Sequence, residues 1–581
     1  MDQARDIWKP VRSCGPRGAA GCLGALLVLA LALACGPRPV GASEETAQAP
    51  APAFLESGAW LGLSEVPLVP AAGAGQDEAR ARIAALAGVG SPWAETEPIA
   101  WGEVEPRPPG SLLAGYDWRS LDATVRALHE AGCLPRLVLS PSSPWASSPP
   151  ERSLHAAFLR ERLPAAEAEA ALQAAQGVLP PRPEAWEGWQ RLVREVVERY
   201  DGDGQRDMPG LLRPVLELQV LDQVQRATRW RGSMDEYQRL LHAARAGALE
   251  AHPLARVAHA ALDPAGLLRA GEGAPSRWPE RLRAAVPALP ALARLEATRG
   301  VEMLLQAMAW PDLGDAIPVV GSGSAAEDQR NLAACRELLG ARGARIPLWL
   351  VQGPARRLAR ARVALPGEQV PAEEARRREV RMASALREGE EGPARRWLRT
   401  GTAFDLVRGA ALARAAGATR VLVVGLHDTP RSVVGEEAGL LRLQGLVRPV
   451  AAPGQPAAWG PTPSWHALRQ LHRLTLGHQD ASLAPLGGPG DAVVFGFAAS
   501  HERPWVAVLL PDPSEEWAPM PGERSPSRIV RVPMPGGTVE VEDIALDAGP
   551  PRRRVLEVVD GMLELELGSA PVYVLARAGR R

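Results

Sequence analysis

Residues 404–426 read FDLVRGAALARAAGATRVLVVGL, a stretch in which a helix-like segment runs directly into a strand-like one. In Phe404–Ala416 the apolar residues recur at the spacing of one helix face. In Val421–Leu426 they form a short unbroken run, which is typical of a buried strand. A helix that leads closely into such a strand is the repeating unit of parallel α/β folds.

The same alternation extends over most of the chain and predicts eight strands with helices between them. That count favours a closed (β/α)8 TIM barrel over residues 55–480, although periodicity alone leaves an open parallel sheet possible. The predicted strands are Ala59–Leu63, Ser91–Ile99, Leu134–Leu139, Val215–Val220, Ala255–Ala261, Val301–Met308, Ile346–Val351 and Val421–Leu426. The predicted helices include Trp118–Ala131, Trp186–Tyr200, Asp235–Ala251, Glu327–Leu339 and Phe404–Ala416.

The character of the sequence changes near Asp491, where valine-rich runs replace the helices. Turn residues such as Pro535-Gly536-Gly537 and Asp560-Gly561 separate these runs. The pattern predicts a second domain, an antiparallel β-sandwich over residues 491–581. Its predicted strands are Ala492–Phe497, Trp505–Leu510, Ile529–Pro533, Val539–Ile544, Val555–Val559, Met562–Leu567 and Val572–Ala576.

The first 42 residues are predicted to be an export signal. A basic start is followed by the apolar run Leu23–Ala34, which is short for a membrane span. The run ends in LALAC, which resembles a bacterial lipoprotein box with Cys35 as the lipidated residue; ordinary cleavage after Ala42 is the alternative. Residues 43–54 form a polar Pro/Ala linker. We therefore expect a cell-envelope lipoprotein of the periplasm or outer membrane, with secretion as the alternative.

Net charge and cysteine count bear on which partners and which kinds of site this protein has. The 581 residues carry a formal net charge of -1, which gives no indication of nucleic-acid binding. The expected membrane contact is the N-terminal lipid anchor. Beyond residue 35 only Cys133 and Cys335 remain, and they are too few and too far apart for a disulfide framework or a metal-binding spacing.

Several blocks carry a likeness to one group of enzymes; they include WGEVEP at 101–106, YDW at 116–118, WRGS at 230–233, GLL at 439–441, WHAL at 465–468 and PVYV at 571–574. In this order they resemble the clan of retaining glycoside hydrolases built on a (β/α)8 barrel, and its xylosidase- and iduronidase-like members above all. The resemblance implies a barrel followed by a sandwich, an oligo- or polysaccharide partner and no required cofactor.

The resemblance also implies where two catalytic glutamates belong. In PVLELQVLDQ at 214–223, Gln223 takes the place of the acid/base after Asp222, and in IPLWLVQG at 346–353, Gln352 takes the place of the nucleophile. An amide has no titratable proton near neutral pH and is a poor nucleophile, but it can still bind a sugar hydroxyl. We therefore expect two amides that face each other across the cleft at roughly the 5 Å separation of a retaining pair.

Other side chains near the predicted strand ends are candidates for the same cleft. Asp222 is a candidate relocated acid, although neighbouring strand residues point to opposite faces. Glu95, Glu97 and Asp263 are further carboxylates, for which salt bridges are the alternative role. Because sugar C–H faces pack on indole rings, four tryptophans are candidate sugar-binding platforms, with core packing as the alternative. These tryptophans are Trp93, Trp145, Trp230 and Trp310, and His427 is a further candidate for the cleft.

The stretch DGDGQRD at 201–207 has the alternating oxygen side chains of a calcium loop, in Asp201, Asp203 and Asp207. Position twelve is Leu212, where an EF-hand has a glutamate, so the stretch is not an EF-hand, and a plain glycine-rich turn that leads into the fourth strand is the preferred interpretation. The leading hypothesis is a catalytically degenerate, carbohydrate-binding pseudoenzyme. An active glycosidase with relocated carboxylates and a scaffold that docks a protein partner are the alternatives.

Overall fold

A computed structural model of the chain describes two kinds of region, a parallel barrel and antiparallel sheets. The N-terminal segment with Cys35, the linker at 43–54, and His427 lie outside the described residues. The described residues are 59–73, 75–111, 113–149, 177–226, 229–263, 291–310, 312–322, 325–341, 344–353, 373, 377, 392–425, 445–450, 458–476, 479–485, 493–498, 505–510, 527–534 and 537–576.

Eight parallel strands form the barrel in the order β6-β5-β4-β2-β1-β9-β8-β7, and a two-residue strand, β3, pairs beside β4. Leu262 closes the ring, since its N–H donates to the Pro318 carbonyl at 2.8 Å and its carbonyl accepts from Val320 N at 2.7 Å. The predicted barrel is therefore confirmed. Its strands are β1 Leu61–Val66, β2 Trp93–Thr96, β3 Ile99–Ala100, β4 Leu134–Ser140, β5 Glu217–Val220, β6 Arg256–Ala258, β7 Ile317–Val320, β8 Leu348–Gln352 and β9 Arg420–Val423.

Helices connect the strands. One of them, α5, begins with a capping box, in which Ser233 Oγ accepts from Glu236 N at 3.1 Å and the Glu236 carboxylate accepts from Ser233 N at 2.7 Å. In the described parts of the chain the helices are α1 Gly75–Ala87, α2 Trp101–Val104, α3 Arg119–Glu130, α4 Trp186–Tyr200, α5 Met234–Ala251, α6 Ala291–Ala309, α7 Ala325–Ala341, α8 Pro393–Ala415 and α9 Pro463–Thr475. Within these parts, no helix combines the length and apolar character needed to cross a bilayer.

The predicted sixth strand, Val301–Met308, is wrong, because these residues lie inside helix α6. Leucine, methionine, glutamate and glutamine favour helices intrinsically, so an apolar run of this composition extends a helix rather than forming a strand. The sixth barrel strand is instead Ile317–Val320, a short run that contains a proline.

Charged side chains fill part of the barrel interior. Glu95 of β2 is ion-paired with Arg136 of β4 and accepts a hydrogen bond from Ser64. Arg420 of β9 donates to Glu217 of β5 at 2.8 Å, so the two pairs join four strands. Tryptophans cover the cations: the guanidinium carbon of Arg420 lies 3.8 Å from the ring centroid of Trp93 and 4.8 Å from that of Trp349.

The C-terminal region forms two antiparallel sheets, one of six strands in the order β12-β13-β14-β19-β16-β17 and one of two, β15-β18. Val532 and Leu565 from the small sheet share a core with Val541 and Val574 from the large one, which confirms the sandwich. The first strand, β12, precedes the predicted start at 491. A separate antiparallel pair, β10 Val447–Pro449 and β11 Trp459–Pro461, precedes these sheets in the sequence. The strands of the sandwich are β12 Gln479–Pro485, β13 Val493–Ala498, β14 Trp505–Leu510, β15 Arg528–Pro533, β16 Gly537–Asp543, β17 Arg553–Val558, β18 Met562–Leu567 and β19 Val572–Ala576.

Polar contacts join helix α9 of the barrel region to the sandwich. Gln470 Nε2 donates to Glu542 at 3.1 Å and to the Asp543 carbonyl at 3.0 Å, while its Oε1 accepts from Ala545 N at 2.7 Å. Arg473 adds an ion pair to the buried Glu542 at 3.0 Å. The amide of Gln470 therefore meets three groups of one sandwich strand and its following turn.

Candidate functional site

The carboxyl ends of the barrel strands form a mouth that carries acidic side chains. In parallel barrels the catalytic and binding groups lie at this end, because the loops that follow the strands gather there. Four carboxylates lie at these strand ends. Glu65 is the penultimate residue of β1, Glu97 follows β2, Asp222 follows β5 and Asp263 follows β6. The mouth is therefore built around carboxylates from four strands.

The backbone at the end of β5 leaves the extended conformation at two residues. Leu221 has φ +63° and Gln223 has φ +43°, a region that non-glycine residues rarely adopt. Glu65, with φ +59°, is also at the mouth, so three of the five described non-glycine residues with positive φ lie there. Strained backbone of this kind concentrates at functional sites.

This bend brings two consecutive side chains together. Asp222 Oδ2 accepts a hydrogen bond from Gln223 Nε2 at 3.1 Å, which regular strand alternation would not allow. Gln223 Oε1 is shielded from water and has no hydrogen-bond partner among the described residues. The end of the fourth barrel strand therefore presents a carboxylate next to an amide that retains a free acceptor.

Asp222 titrates well above an ordinary aspartate. Burial raises its pKa to about 6; Arg229 and the Gln223 hydrogen bond oppose the shift, and the charge of Glu65 adds to it. At mildly acidic pH this carboxyl group holds its proton, so it can act as a hydrogen-bond donor or as an acid.

Glu65 was not among the sequence candidates. Its side chain reaches solvent, but partial burial raises its pKa. The charge of Arg229 opposes this shift, and the charge of Glu97 adds to it. The pKa of Glu97 is also raised, mainly by burial, against a hydrogen bond from the Leu68 backbone. The signal that could have found Glu65 is its position two residues after the apolar run Ala59–Leu63 of the first strand.

Asp263 is held by a cation at the edge of the mouth. Arg226, in the loop after β5, donates through Nε to Asp263 Oδ2 at 3.1 Å and forms an ion pair with it. The salt bridge considered for Asp263 from sequence is thus present. The contact ties the loop that follows β5 to the end of the neighbouring strand.

The structure places Gln352 outside the mouth, unlike the sequence expectation. Its Nε2 lies 3.4 Å from the Asp405 carbonyl and 3.3 Å from the Leu406 carbonyl, both in helix α8. Gly409 permits this approach, because a Cβ there would fall 2.2 Å from Gln352 Nε2. Gln352 therefore packs in the layer between strand and helix, and the two glutamines do not face each other.

The inward residues of β8 are apolar. Trp349 and Val351 belong to a buried cluster with Ala258 and Leu422, and Val320 and Val424 pack against it. Since side chains alternate along a strand, Val351 inward implies Gln352 outward. The mouth is thus acidic beside β1, β2 and β5 and apolar beside β7, β8 and β9.

The tryptophan candidates divide among three environments. Trp93 begins β2 at the amino-terminal end of the barrel, buried against Arg420, and Trp230 is fully buried with Nε1 donating to the Ser233 carbonyl at 3.1 Å. Trp310 is 60% exposed but follows helix α6, on the face opposite the mouth. Trp145, in the loop after β4, and Trp230, in the loop after β5, lie on the carboxyl side, and of these two only Trp145 is half-buried, with its Nε1 donating to the Glu105 carbonyl at 2.8 Å.

Glu95 also differs from its predicted role. It is buried inside the barrel, where Arg136 and Ser64 both engage its carboxylate. A side chain bound by two protein partners at that depth stabilises the interior and is not available to a ligand in the mouth.

The acidic loop after helix α4 lies at the amino-terminal end. Carboxylate oxygens of Asp201, Asp203 and Asp207 come within 4.8 Å of one another. Backbone N–H groups already bond to them: Gly204 N donates to Asp207 at 2.7 Å and Gln205 N to Asp203 at 2.7 Å. Calcium usually takes six to eight oxygen ligands, so three carboxylates alone supply only part of such a shell.

A shallow depression of about 520 Å³ lies on the flank of the barrel, beside the loop that precedes α3. Its aromatic residues, Tyr116 and Trp118, have ring centroids 5.2 Å apart. Its charged groups pair with each other: Asp117 accepts from Arg119 at 2.6 Å, and Asp122 accepts from Arg199 at 2.6 Å. The depression therefore offers fewer free polar groups than the mouth.

Comparison with known proteins finds no matching family model and no matching curated protein. Among solved structures, the chain is similar to a GH30 endoxylanase from Clostridium papyrosolvens, with 9% identity, 90% of this chain and 96% of that chain covered, and a TM-score of 0.47. It is also similar to a monomeric beta-xylosidase from Caulobacter crescentus, with 12% identity, coverages of 86% and 93%, and a TM-score of 0.47. A GH39 enzyme from Xanthomonas axonopodis pv. citri gives 12% identity, coverages of 90% and 96%, and a TM-score of 0.42.

Proposed function

We propose that this chain is an exported, glycoside-hydrolase-like barrel protein that binds a carbohydrate at its mouth without cleaving it by double displacement. The observation that carries the proposal is the pair of strand ends at β5 and β8. Strand β5 ends in Asp222 and Gln223, while β8 turns Val351 inward and Gln352 toward helix α8.

A retaining glycosidase needs two carboxyl groups about 5 Å apart on opposite sides of the bond. The nucleophile's strand here offers an aliphatic side chain to the mouth, which cannot attack an anomeric carbon. On the other strand, the amide of Gln223 cannot deliver a proton. Asp222 remains as a single acid without an opposing nucleophile from β8.

The same groups suit a ligand rich in hydroxyls. Gln223 Oε1 is a buried acceptor without a described partner, and Asp222, Glu65 and Glu97 add carboxylate acceptors beside it. Saccharide hydroxyls supply the donors that such acceptors need. The partly buried side chains of Val320 and Val424 give the C–H face of a sugar ring a surface to pack on.

The test is a binding titration with a panel of envelope and plant-type oligosaccharides, alongside turnover of aryl glycosides. The wild-type protein should bind at least one saccharide and show no turnover above background. Asp222→Ala should weaken that binding by about 10-fold or more, because a charged hydrogen-bond acceptor is lost. Asp312→Ala, an exposed carboxylate on the opposite face, is the matched control and should leave affinity unchanged. Binding equally weakened by both changes would contradict the assignment of the mouth.

One observation favours a second candidate, an active hydrolase with relocated carboxylates. Asp222 has a pKa of about 6, raised by burial and by the nearby charge of Glu65, as expected of a proton donor beside a second carboxylate. In that case the wild-type protein would hydrolyse a glycoside fastest at acidic pH. Both Asp222→Asn and Glu65→Gln would abolish the activity, whereas Asp312→Asn would not.

We also propose that the chain is exported and anchored to a membrane through a lipid on Cys35. The basic start, the apolar run Leu23–Ala34 and the lipoprotein-like LALAC sequence support this location. A polysaccharide of the cell envelope is then the carbohydrate within reach of the mouth.

A further inference from the structure

Exposed apolar side chains gather at one end of the barrel. Among the described residues, nine large apolar side chains are well exposed, and four of them lie at the amino-terminal face. They form what we call the apolar arc: Leu212 at 63% exposure, Leu249 at 41%, Leu254 at 60% and Trp310 at 60%. Isolated exposed apolar residues are ordinary, but a group on one face indicates an interaction surface.

The arc comes from three consecutive loops. Leu212 precedes β5, Leu254 precedes β6 with Leu249 in the last turn of α5, and Trp310 precedes β7. Strands β5 and β6 are paired, and His259, after β6, donates its N–H to Ala316, before β7, at 2.9 Å. Because neighbouring strands lie about 4.8 Å apart, the loops that lead into them are also neighbours.

The chain enters the barrel at the same face. The first described residue, Ala59, lies two positions before Leu61, where β1 begins. Residues 36–58 separate it from Cys35 in the sequence. The segment that leads to Cys35 is therefore joined to the barrel at its amino-terminal face.

We propose that the apolar arc is a membrane-contact surface on which the barrel rests, so that the mouth points away from the bilayer. The proposal depends on the anchoring proposed above and not on carbohydrate binding. Tryptophan and leucine side chains partition into the boundary between headgroups and acyl chains. An apolar contact from the protein itself would add to the attachment that the lipid supplies and would orient the barrel on the bilayer.

The test uses the full-length protein in vesicles of phosphatidylethanolamine and phosphatidylglycerol that contain doxyl-labelled lipid. Leu254→Cys and Trp310→Cys carry a polarity-sensitive maleimide dye, and Ile529→Cys and Val555→Cys on the sandwich are matched controls, exposed at 67% and 72% in the native residues. Cys133 and Cys335 are buried, and identically treated wild-type protein gives the background labelling. The expected result is loss of fluorescence at 254 and 310 and none at 529 and 555. Since the contact is apolar, high salt should not change it.

Three outcomes would overturn the proposal, and they can be told apart. Membrane-bound protein with unquenched dyes at 254 and 310 contradicts the contact surface while leaving the anchor intact. Dyes at 254 and 310 that are shielded from water but not quenched by lipid indicate a protein partner on this face. Protein that stays in the soluble fraction shows that the anchor fails, and the orientation fails with it.

Discussion

Asp222 and Gln223, consecutive in sequence, are bonded side chain to side chain over 3.1 Å at the end of the fourth barrel strand. The positive φ angles of Leu221 and Gln223 make this contact possible, because they turn both side chains to the same side. The amide hydrogen bond favours the charged form of Asp222, while burial and Glu65 favour the neutral form. The balance sets a pKa of about 6, and it gives the mouth a group that changes charge in the range of natural pH.

The first prediction concerns the stability cost of that carboxylate. Its folded pKa is raised from 3.8 to about 6, so the folded state binds the proton more tightly than the unfolded state. The contribution of Asp222 to the free energy of unfolding is therefore fully present at low pH and is lost as pH rises from about 4 through about 6. At pH 7.5, Asp222→Asn should raise the free energy of unfolding, by at most about 3 kcal/mol for a shift of this size.

Thermal unfolding at pH 4 and pH 7.5 measures this effect. The gain from Asp222→Asn should be visible at pH 7.5 and nearly absent at pH 4. Asp312→Asn, on the exposed opposite face, should change neither value. An equal gain at both pH values would mean that the substitution acts through packing and not through the charge.

The strand end also shows what sequence reasoning can and cannot predict. The resemblance predicts Asp222 and Gln223 at the end of the fourth barrel strand, and in the structure both residues follow β5. The contact between the two side chains depends on two φ angles that no residue type at these positions requires. Leu221 is not a glycine, so nothing in the sequence indicates the left-handed turn.

The second prediction concerns the buried ion pair between Glu217 and Arg420. Burial alone would raise the pKa of Glu217, but the hydrogen bond and charge of Arg420, with Arg136, outweigh it and hold the pKa below its usual value. Glu217→Gln leaves a buried guanidinium without its counter-charge, at a cost of about 3–5 kcal/mol. The pKa of Glu217 is lower in the folded state than in the unfolded state. The stability lost in Glu217→Gln should therefore be largest above the pKa of the unfolded state and should shrink as pH falls below about 4.

Urea unfolding of the single and double variants measures the pair. Glu217→Met with Arg420→Met removes both charges and should be more stable than Glu217→Gln alone. A double variant that loses as much stability as the two single variants added together would show that the residues do not act as a pair.

The third prediction concerns anchoring. Cys35→Ser removes the thiol that lipidation requires, so the protein should move from the membrane fraction to the soluble envelope fraction. Cys14→Ser, in the basic start of the signal, is the matched control and should leave fractionation unchanged. Unchanged fractionation of Cys35→Ser, together with a mature N-terminus at Ser43, would establish cleavage after Ala42 in place of lipidation.

Two other sequence candidates, Gln352 and Trp310, lie outside the mouth, one because of strand register and the other because a helix replaces a predicted strand. The observed strand Arg420–Val423 ends three residues before the predicted end at Leu426, and an error of a single residue in register already moves every side chain to the other face. Gln352 was correctly placed at the end of β8, yet it faces helix α8, as its hydrogen bonds to Asp405 and Leu406 show. The prediction for Trp310 depends on a strand at Val301–Met308; because these residues form part of helix α6, Trp310 follows a helix and lies at the other end of the barrel.

The last prediction concerns the orientation of Gln352 toward helix α8. In Gln352→Glu a carboxylate would replace the amide that donates to the Asp405 and Leu406 carbonyls at 3.4 and 3.3 Å. An unpaired charge would then face two carbonyl oxygens in a buried site, and the expected loss is about 3 kcal/mol or more. Gln352→Met, which only removes the hydrogen bonds, should cost less, and the half-buried Gln223→Glu should cost least. The double variant Gln223→Glu with Gln352→Glu should show no hydrolysis of aryl glycosides, since the second carboxyl group would lie between β8 and α8. Circular dichroism confirms that the variants are folded, and a gain of turnover in the double variant would place residue 352 in the mouth and overturn the register described for β8.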